Sequence, residues 1–243
     1  MAASRSRRPP RPSKGRLSQA IAEKPAATNA ASAYAEVKRR ILNNEYGAGI
    51  TVSVQDVSRL LHMSRTPIRD ALIRLEKEGL VELVPRQGFR VLPLSPNDML
   101  EVYQILAGLE AMAIHVLTER GVSPEQAGRL MAAVATMESA LAADDLDRWA
   151  EADANFHRTL IDLVNSGRLS QTVDQFWDQT VRARLLTLRL RPKPMQSTKN
   201  HKLLAEAIIA KNTQKAFDVH MRQRARSGRE LVEILARLNI RTL

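Results

Sequence analysis

Ser64–Leu80, which reads SRTPIRDALIRLEKEGL, decides the fold of this chain. Ser64 is a favourable N-cap, and Pro67 falls in the first helical turn, where a missing N–H costs nothing. Ile68, Ala71, Leu72 and Leu75 recur at i, i+3, i+4 and i+7, the apolar stripe of a helix, and Gly79 stops it. Arg65, Thr66 and Arg69 lie on the opposite side, within the first two turns. A helix with one face in a core and a cationic N-terminal end outward has the form that enters a DNA major groove. Taken alone, the segment reads as an ordinary amphipathic surface helix; its flanks change that.

Upstream, Ala33–Glu45 is predicted to be a helix with Tyr34, Val37, Ile41 and Leu42 on one face, followed by a turn at Tyr46-Gly47-Ala48-Gly49. Ser53, with Asp56 three residues on, is the start signal of a short helix. Its Val54, Val57, Leu60 and Leu61 are expected to face the core. His62-Met63 leads tightly into Ser64. Downstream, Leu80–Val84 and Phe89–Leu92 read as strands around a Pro85-Arg86-Gln87-Gly88 turn. Three helices and a hairpin with Arg86 at its tip form a winged helix-turn-helix. One helix reads the major groove and a basic wing lies on the neighbouring backbone.

The charge distribution agrees. The chain has 243 residues and a net charge of +11, of which residues 1–32 carry +6 and residues 33–94 carry +3. Residues 1–32 are rich in Arg, Pro, Ser and Ala and are expected to be a disordered basic tail. The absence of cysteine excludes disulfides and thiolate metal sites. Apolar runs are shorter than the ~18 residues that span a bilayer, so no membrane partner is expected, and the location expected is the cytoplasm.

From Ser95 onward the sequence shows only helical periodicity. Helices are expected at 96–120, 124–143, 146–164, 168–190, 197–211 and 213–239. With short loops between them, they argue an all-α antiparallel bundle over residues 95–243. Asp153 and His157 are i, i+4 on one helix face; His201 and His220 lie on two later helices. Three imidazoles and a carboxylate are the donors of a divalent metal site with open positions. Buried, hydrogen-bonded histidines without a metal are the competing reading. A metal-dependent enzyme built on the same four residues is the alternative function. It lacks a visible general base, because Glu206, at i+5 from His201, turns to another face.

Residues 33–94 resemble the DNA-binding domain of the GntR superfamily of bacterial transcription regulators. The resemblance is carried by SRTPIRDALIRLEKEGLVELVPRQG and the turn from Glu45 to Gly49. It implies operator contacts from Ser64, Arg65, Thr66 and Arg69, with Arg86 and Gly88 on the wing and Gln55 at the start of the second helix. Residues 96–240 resemble the FCD effector domain of the FadR branch, through Asp153-Ala154-Asn155-Phe156-His157, the stretch from His201 to Ile208, and Ala216 followed by His220. This implies a divalent metal (zinc, with nickel or manganese as alternatives) on Asp153, His157, His201 and His220. It also implies a small organic or sugar acid as effector on that metal. The chain departs from the family at Leu106, where metal-binding members carry an arginine that pairs with the effector. Arg182 and Arg184 are candidates for the replacement charge; solvent exposure or a dimer contact is the competing expectation for both. The function expected is a homodimeric repressor bound to double-stranded operator DNA and controlled by a metabolite.

Overall fold

The computed structural model describes residues 26–238. Residues 1–25 of the expected tail lie outside them. The first helix, α1 (Ala26–Leu42), takes in residues 26–32, which the sequence reading left in the tail; four alanines in its first seven residues favour helix over coil. After it come β1 (Thr51–Val52), α2 (Val54–Leu61), α3 (Arg65–Lys77), β2 (Val81–Val84) and β3 (Gly88–Val91). Ser53 caps α2 by accepting from the Asp56 amide at 3.0 Å, and His62 turns the chain in the left-handed region between α2 and α3. Ile68, Ala71, Leu72 and Leu75 of α3 are all buried with Val37, Ile41, Val57, Phe89 and Val91. Burial of each large side chain contributes ~1.5–3 kcal/mol. Leu60 departs from expectation: it is exposed, because a helix of eight residues presents only Val57 fully to this core.

The strand β1 has no sequence signal. Its two residues pair antiparallel with β3, Thr51 opposite Arg90 and Val52 opposite Phe89, and give a sheet ordered β1-β3-β2. Gly88 makes this possible. A side chain there would overlap the Val52 carbonyl oxygen and sit 2.8 Å from Ser53 Cα.

The rest of the chain is a helical bundle: α4 (Pro96–Arg120), α5 (Pro124–Ala142), α6 (Leu146–Val164), α7 (Gly167–Thr187), α8 (Met195–Ile209) and α9 (Thr213–Arg237). Ser95 and Ser123 cap α4 and α5, each followed by proline in the first turn. The stretch expected to end one long helix at 190 instead tightens to a 3₁₀ turn at Leu188–Leu190 ahead of Pro192 and Pro194. By length and composition, α4 could cross a membrane, contrary to the reading from apolar runs. In the fold it packs along α9, α6 and α7, and its Glu110 is fully buried.

Candidate nucleic-acid interface and metal centre

The first site lies between the N-terminus of α2, α3 and the wing. Gln55, Ser64, Arg65, Thr66, Arg69 and Arg86 are all exposed. Of these, Gln55, Arg65, Arg69 and Arg86 line a cleft of about 410 Å³ with Ser53, Gln87 and Gly88. Ser64 is the N-cap of α3 by backbone geometry, but its hydroxyl makes no cap hydrogen bond, so it faces outward with Arg65 and Thr66. Arg86 sits at the hairpin tip at φ 65°. Gly88 borders the same cleft and also admits β1, where a side chain would overlap the Val52 carbonyl oxygen. Exposed guanidiniums on a helix N-terminus and a wing are the groups that bond guanine O6 and N7 or phosphate oxygens.

The second site is buried between α6, α7, α8 and α9. Asp153, His157 and His201 converge. His157 Nε2 is 3.1 Å from His201 Nε2, and Asp153 Oδ1 is 3.4 Å from His201 Nε2 and 3.9 Å from His157 Nε2. Bonds of ~2.1 Å at tetrahedral angles give ligand–ligand edges of about 3.4 Å, so the three atoms fit one face of a divalent metal site. Their partners fit too. His201 Nδ1 lies 2.7 Å from the Ser197 carbonyl, which takes its proton and leaves Nε2 with a lone pair. His157 Nδ1 lies 3.1 Å from Arg224 Nη2, an N–H that can only donate. Nδ1 therefore accepts, and the ring proton sits on Nε2, toward His201 Nε2. A metal taking Nε2 would send that proton to Nδ1, where Glu110 Oε1 lies 3.4 Å away.

His220 is not part of this group. Its Nε2 meets the Ala107 carbonyl at 3.1 Å and Glu110 Oε2 at 3.7 Å. The helical period explains the correction: on α9, residues 220 and 224 turn toward α4, whereas Gln223 turns toward α8. There Gln223 bonds Asn200 at 2.6 Å and Ser197 at 2.8 Å and lines the cavity beside the histidines.

Of the two candidate arginines, Arg184 reaches the site. Its Nη1 donates to Asp153 Oδ2 at 2.7 Å, while its buried Nε and Nη2 have no hydrogen-bond partner among the described residues. Arg182 instead donates to the Leu92 carbonyl at 2.6 Å. Both are buried, which overturns the expectation of solvent exposure. Leu106 is buried apolar core. The pair that sequence reasoning missed is Glu110 with Arg224. Arg224 Nε donates to Glu110 Oε2 at 2.6 Å and Nη2 donates to Oε1, while Nη2 also lies 3.1 Å from His157 Nδ1. An acid in an otherwise apolar helix is the signal that pointed to it.

Burial tends to raise the carboxyl pKa of Glu110 and Asp153, but the neighbouring cations win. Arg224 holds Glu110 well below its ordinary value, and Arg184 does the same for Asp153. Burial, then Arg224, pushes His157 down to about 3; burial pushes His201 down and takes His220 to about 4. All three imidazoles are therefore neutral near pH 7, the form that ligates metal. With metal chelated, these shifts make stability depend on pH. Unfolded histidines protonate near ~6.5. Below that the unfolded chain binds more protons, so stability is lost as pH falls toward the folded values. Urea unfolding at pH 7.5 and pH 5 should show a loss of up to roughly 2 kcal/mol per buried histidine; an unchanged midpoint would count against neutral burial.

Residues 29–91 match the model of the bacterial regulatory proteins of the gntR family, and residues 101–223, just over half of the chain, match the FCD domain. The chain belongs to the GntR family, in the FadR-like group with an FCD domain. An uncharacterized HTH-type transcriptional regulator of Agrobacterium vitis, from the TAR-I ttuE-ttuC' intergenic region, is 36% identical over 132 residues, covering 54% of this chain and 77% of its own. The transcriptional repressor GlaR of Escherichia coli is 29% identical over 164 residues, 65% and 74% of the two chains. In structure, the chain is similar to E. coli McbR/YncC, with a TM-score of 0.74 at 19% identity over 87% of this chain and 98% of that one. It is therefore a DNA-binding transcription regulator of the GntR family, whose relatives are regulators and not enzymes.

Proposed function

We propose that this GntR regulator is a repressor whose operator affinity is set by a small organic or sugar acid bound at a divalent metal in the bundle. The observation that carries the reading is one buried arrangement. Asp153, His157 and His201 converge at metal-ligand spacing, and Arg184 offers unpaired Nε and Nη2 groups beside them. A divalent ion there supplies a Lewis-acidic position for a carboxylate oxygen. Arg184 then holds the acid in place of the arginine that Leu106 displaces, and Gln223 and Ser197 border the same cavity. Zinc suits two imidazoles and a carboxylate; nickel and manganese are the alternatives. One relative is named the gluconate operon transcriptional repressor of Bacillus subtilis, in keeping with a sugar acid.

The winged helix over residues 33–94 would bind double-stranded operator DNA through Gln55, Ser64, Arg65, Thr66, Arg69 and Arg86, and residues 95–243 would form the effector domain. Two copies would occupy a two-fold operator. The exposed Ile105 and Met112 on the outer face of α4 supply an apolar surface for the second copy. Such a regulator acts in the cytoplasm. The test is a mobility shift on the promoter DNA beside its own gene, at moderate salt, with zinc and a panel of small carboxylates and sugar acids. No sequence-specific shift under any of these conditions would sink the reading. Arg65→Ala should cost ~1–3 kcal/mol on the operator alone if Arg65 reads a base, and lower affinity about equally on every sequence if it holds a phosphate. Titrations on operator and random duplex separate the two.

A further inference from the structure

The helix α7 is attached to three separate elements of the winged helix. Asp178 is ion-paired with Lys38 of α1. Gln179 Nε2 donates at 3.1 Å to the carbonyl of Glu78, the C-cap of α3. Arg182 Nη1 donates to the carbonyl of Leu92, just past the end of β3. Three attachments on three elements fix the orientation of a rigid body. Gly79 belongs to the same joint. It stands at φ 68°, and a side chain on it would come within 2.8 Å of Gln179 Nε2. Arg182 is a buried cation with no carboxylate within 4.0 Å among the described residues, and burial pushes its guanidinium down to about 10. A neutral side chain would join the two halves at lower desolvation cost.

Two residues further on, and about 200° around the helix, Arg184 ion-pairs with Asp153 in the metal centre. One helix therefore touches the winged helix and the metal centre with opposite faces. The cavity beside the histidines is only about 30 Å³, room for a water or two. Arg184 and Arg191 form part of its wall, so a multi-carbon acid enters only by displacing that wall.

We propose that α7 is the joint through which occupancy of the Asp153–His157–His201 site reaches the winged helix. A bound cation draws the Asp153 carboxylate from Arg184, α7 shifts, and the clamp of Asp178, Gln179 and Arg182 lets go. This rests on the metal reading above.

The test uses the full chain with zinc alone as the probe. The chain lacks cysteine, so Lys77→Cys and Ala135→Cys, both at exposed positions outside the DNA-binding cleft, place spin labels on the C-terminal end of α3 and on α5. Pulsed electron resonance should give a narrow label-to-label distance that zinc broadens. Arg182→Ala should be broad from the start, should bind zinc by calorimetry as the parent does, and should not respond further. The zinc-dependent change in operator affinity, several-fold to about a hundred-fold in the parent, should be lost with it. Gln179→Ala is the milder variant if Arg182→Ala melts early. A variant distance identical to the parent's, or a parent distance that zinc leaves unchanged while binding, overturns the joint. Failure of the parent to take up zinc overturns the metal reading instead, and the metal-free distances still judge the clamp.

Discussion

Glu110→Ala should lower the unfolding free energy by about 3–5 kcal/mol, the cost of leaving a buried charge without its partner. Glu110 is fully buried on α4 and accepts two bonds from Arg224 of α9. Removing the carboxylate strands the buried guanidinium between Tyr103 and His157 without an anion. Arg224→Ala should cost a similar amount by exposing Glu110 to the same fate. Replacing both, Glu110→Leu with Arg224→Met, should recover most of the loss, since an apolar pair of similar volume is often as stable as a buried ion pair. Chemical unfolding of the three variants checks this. Equal losses in the single and double variants would mean that the helices, not the pair, are what the substitutions disturb. Glu110→Ala should also weaken zinc binding by roughly 10–100-fold, because Arg224, whose Nη2 faces His157 Nδ1 at 3.1 Å, loses the carboxylate that holds it in place.

The second large effect separates the histidines. His201→Ala should abolish high-affinity metal uptake, a loss beyond the roughly 100-fold that follows from losing a group that merely orients a ligand. His220→Ala should leave metal affinity within a few-fold of the parent, although the sequence grouped the two. Its ring faces Ala107 and Glu110, so its loss should appear as lower stability. Calorimetric titration with zinc, paired with thermal melts, reads both quantities. Equal loss of zinc binding in the two variants would put His220 back among the ligands and require α9 to rotate on metal uptake.

What the sequence disclosed follows from how far apart the interacting residues lie. The recognition helix was legible because its stripe, cap and stop all fall within seventeen residues, Ser64 to Leu80. The helices α4 and α6 end where serine, proline, aspartate and asparagine signals put their ends. The pair Asp153 and His157 was legible as one helical turn, and His201 was grouped with them from its place on a later apolar helix before the resemblance implied it as a ligand. The strand β1 was not legible, since two residues carry no period and exist as a strand only through pairing with Phe89 and Arg90. Glu110 and Arg224 stand 114 residues apart in sequence, and only the packing of α4 on α9 joins them. His220 has the residue type of the other two histidines, but its helical phase turns its ring toward Ala107 and Glu110, and the zinc titration above decides whether it ligates. Leu106 stands where the family arginine was expected on α4; the sequence offered Arg182 and Arg184 of α7 as candidates for its charge, and the fold brings only Arg184 to Asp153.

The neutral imidazoles have a consequence for what the regulator can sense. Sites that ligate through protonated histidines or thiols expel hydrogen ions as they fill, so their occupancy tracks acidity as well as ion supply. Here burial has already stripped His157 and His201 of their extra proton. Filling the site near neutral pH therefore exchanges almost no hydrogen ions with the surroundings. If metal occupancy sets operator affinity as proposed, modest swings in acidity would leave that set point where it was, and the promoter would follow one chemical message rather than two.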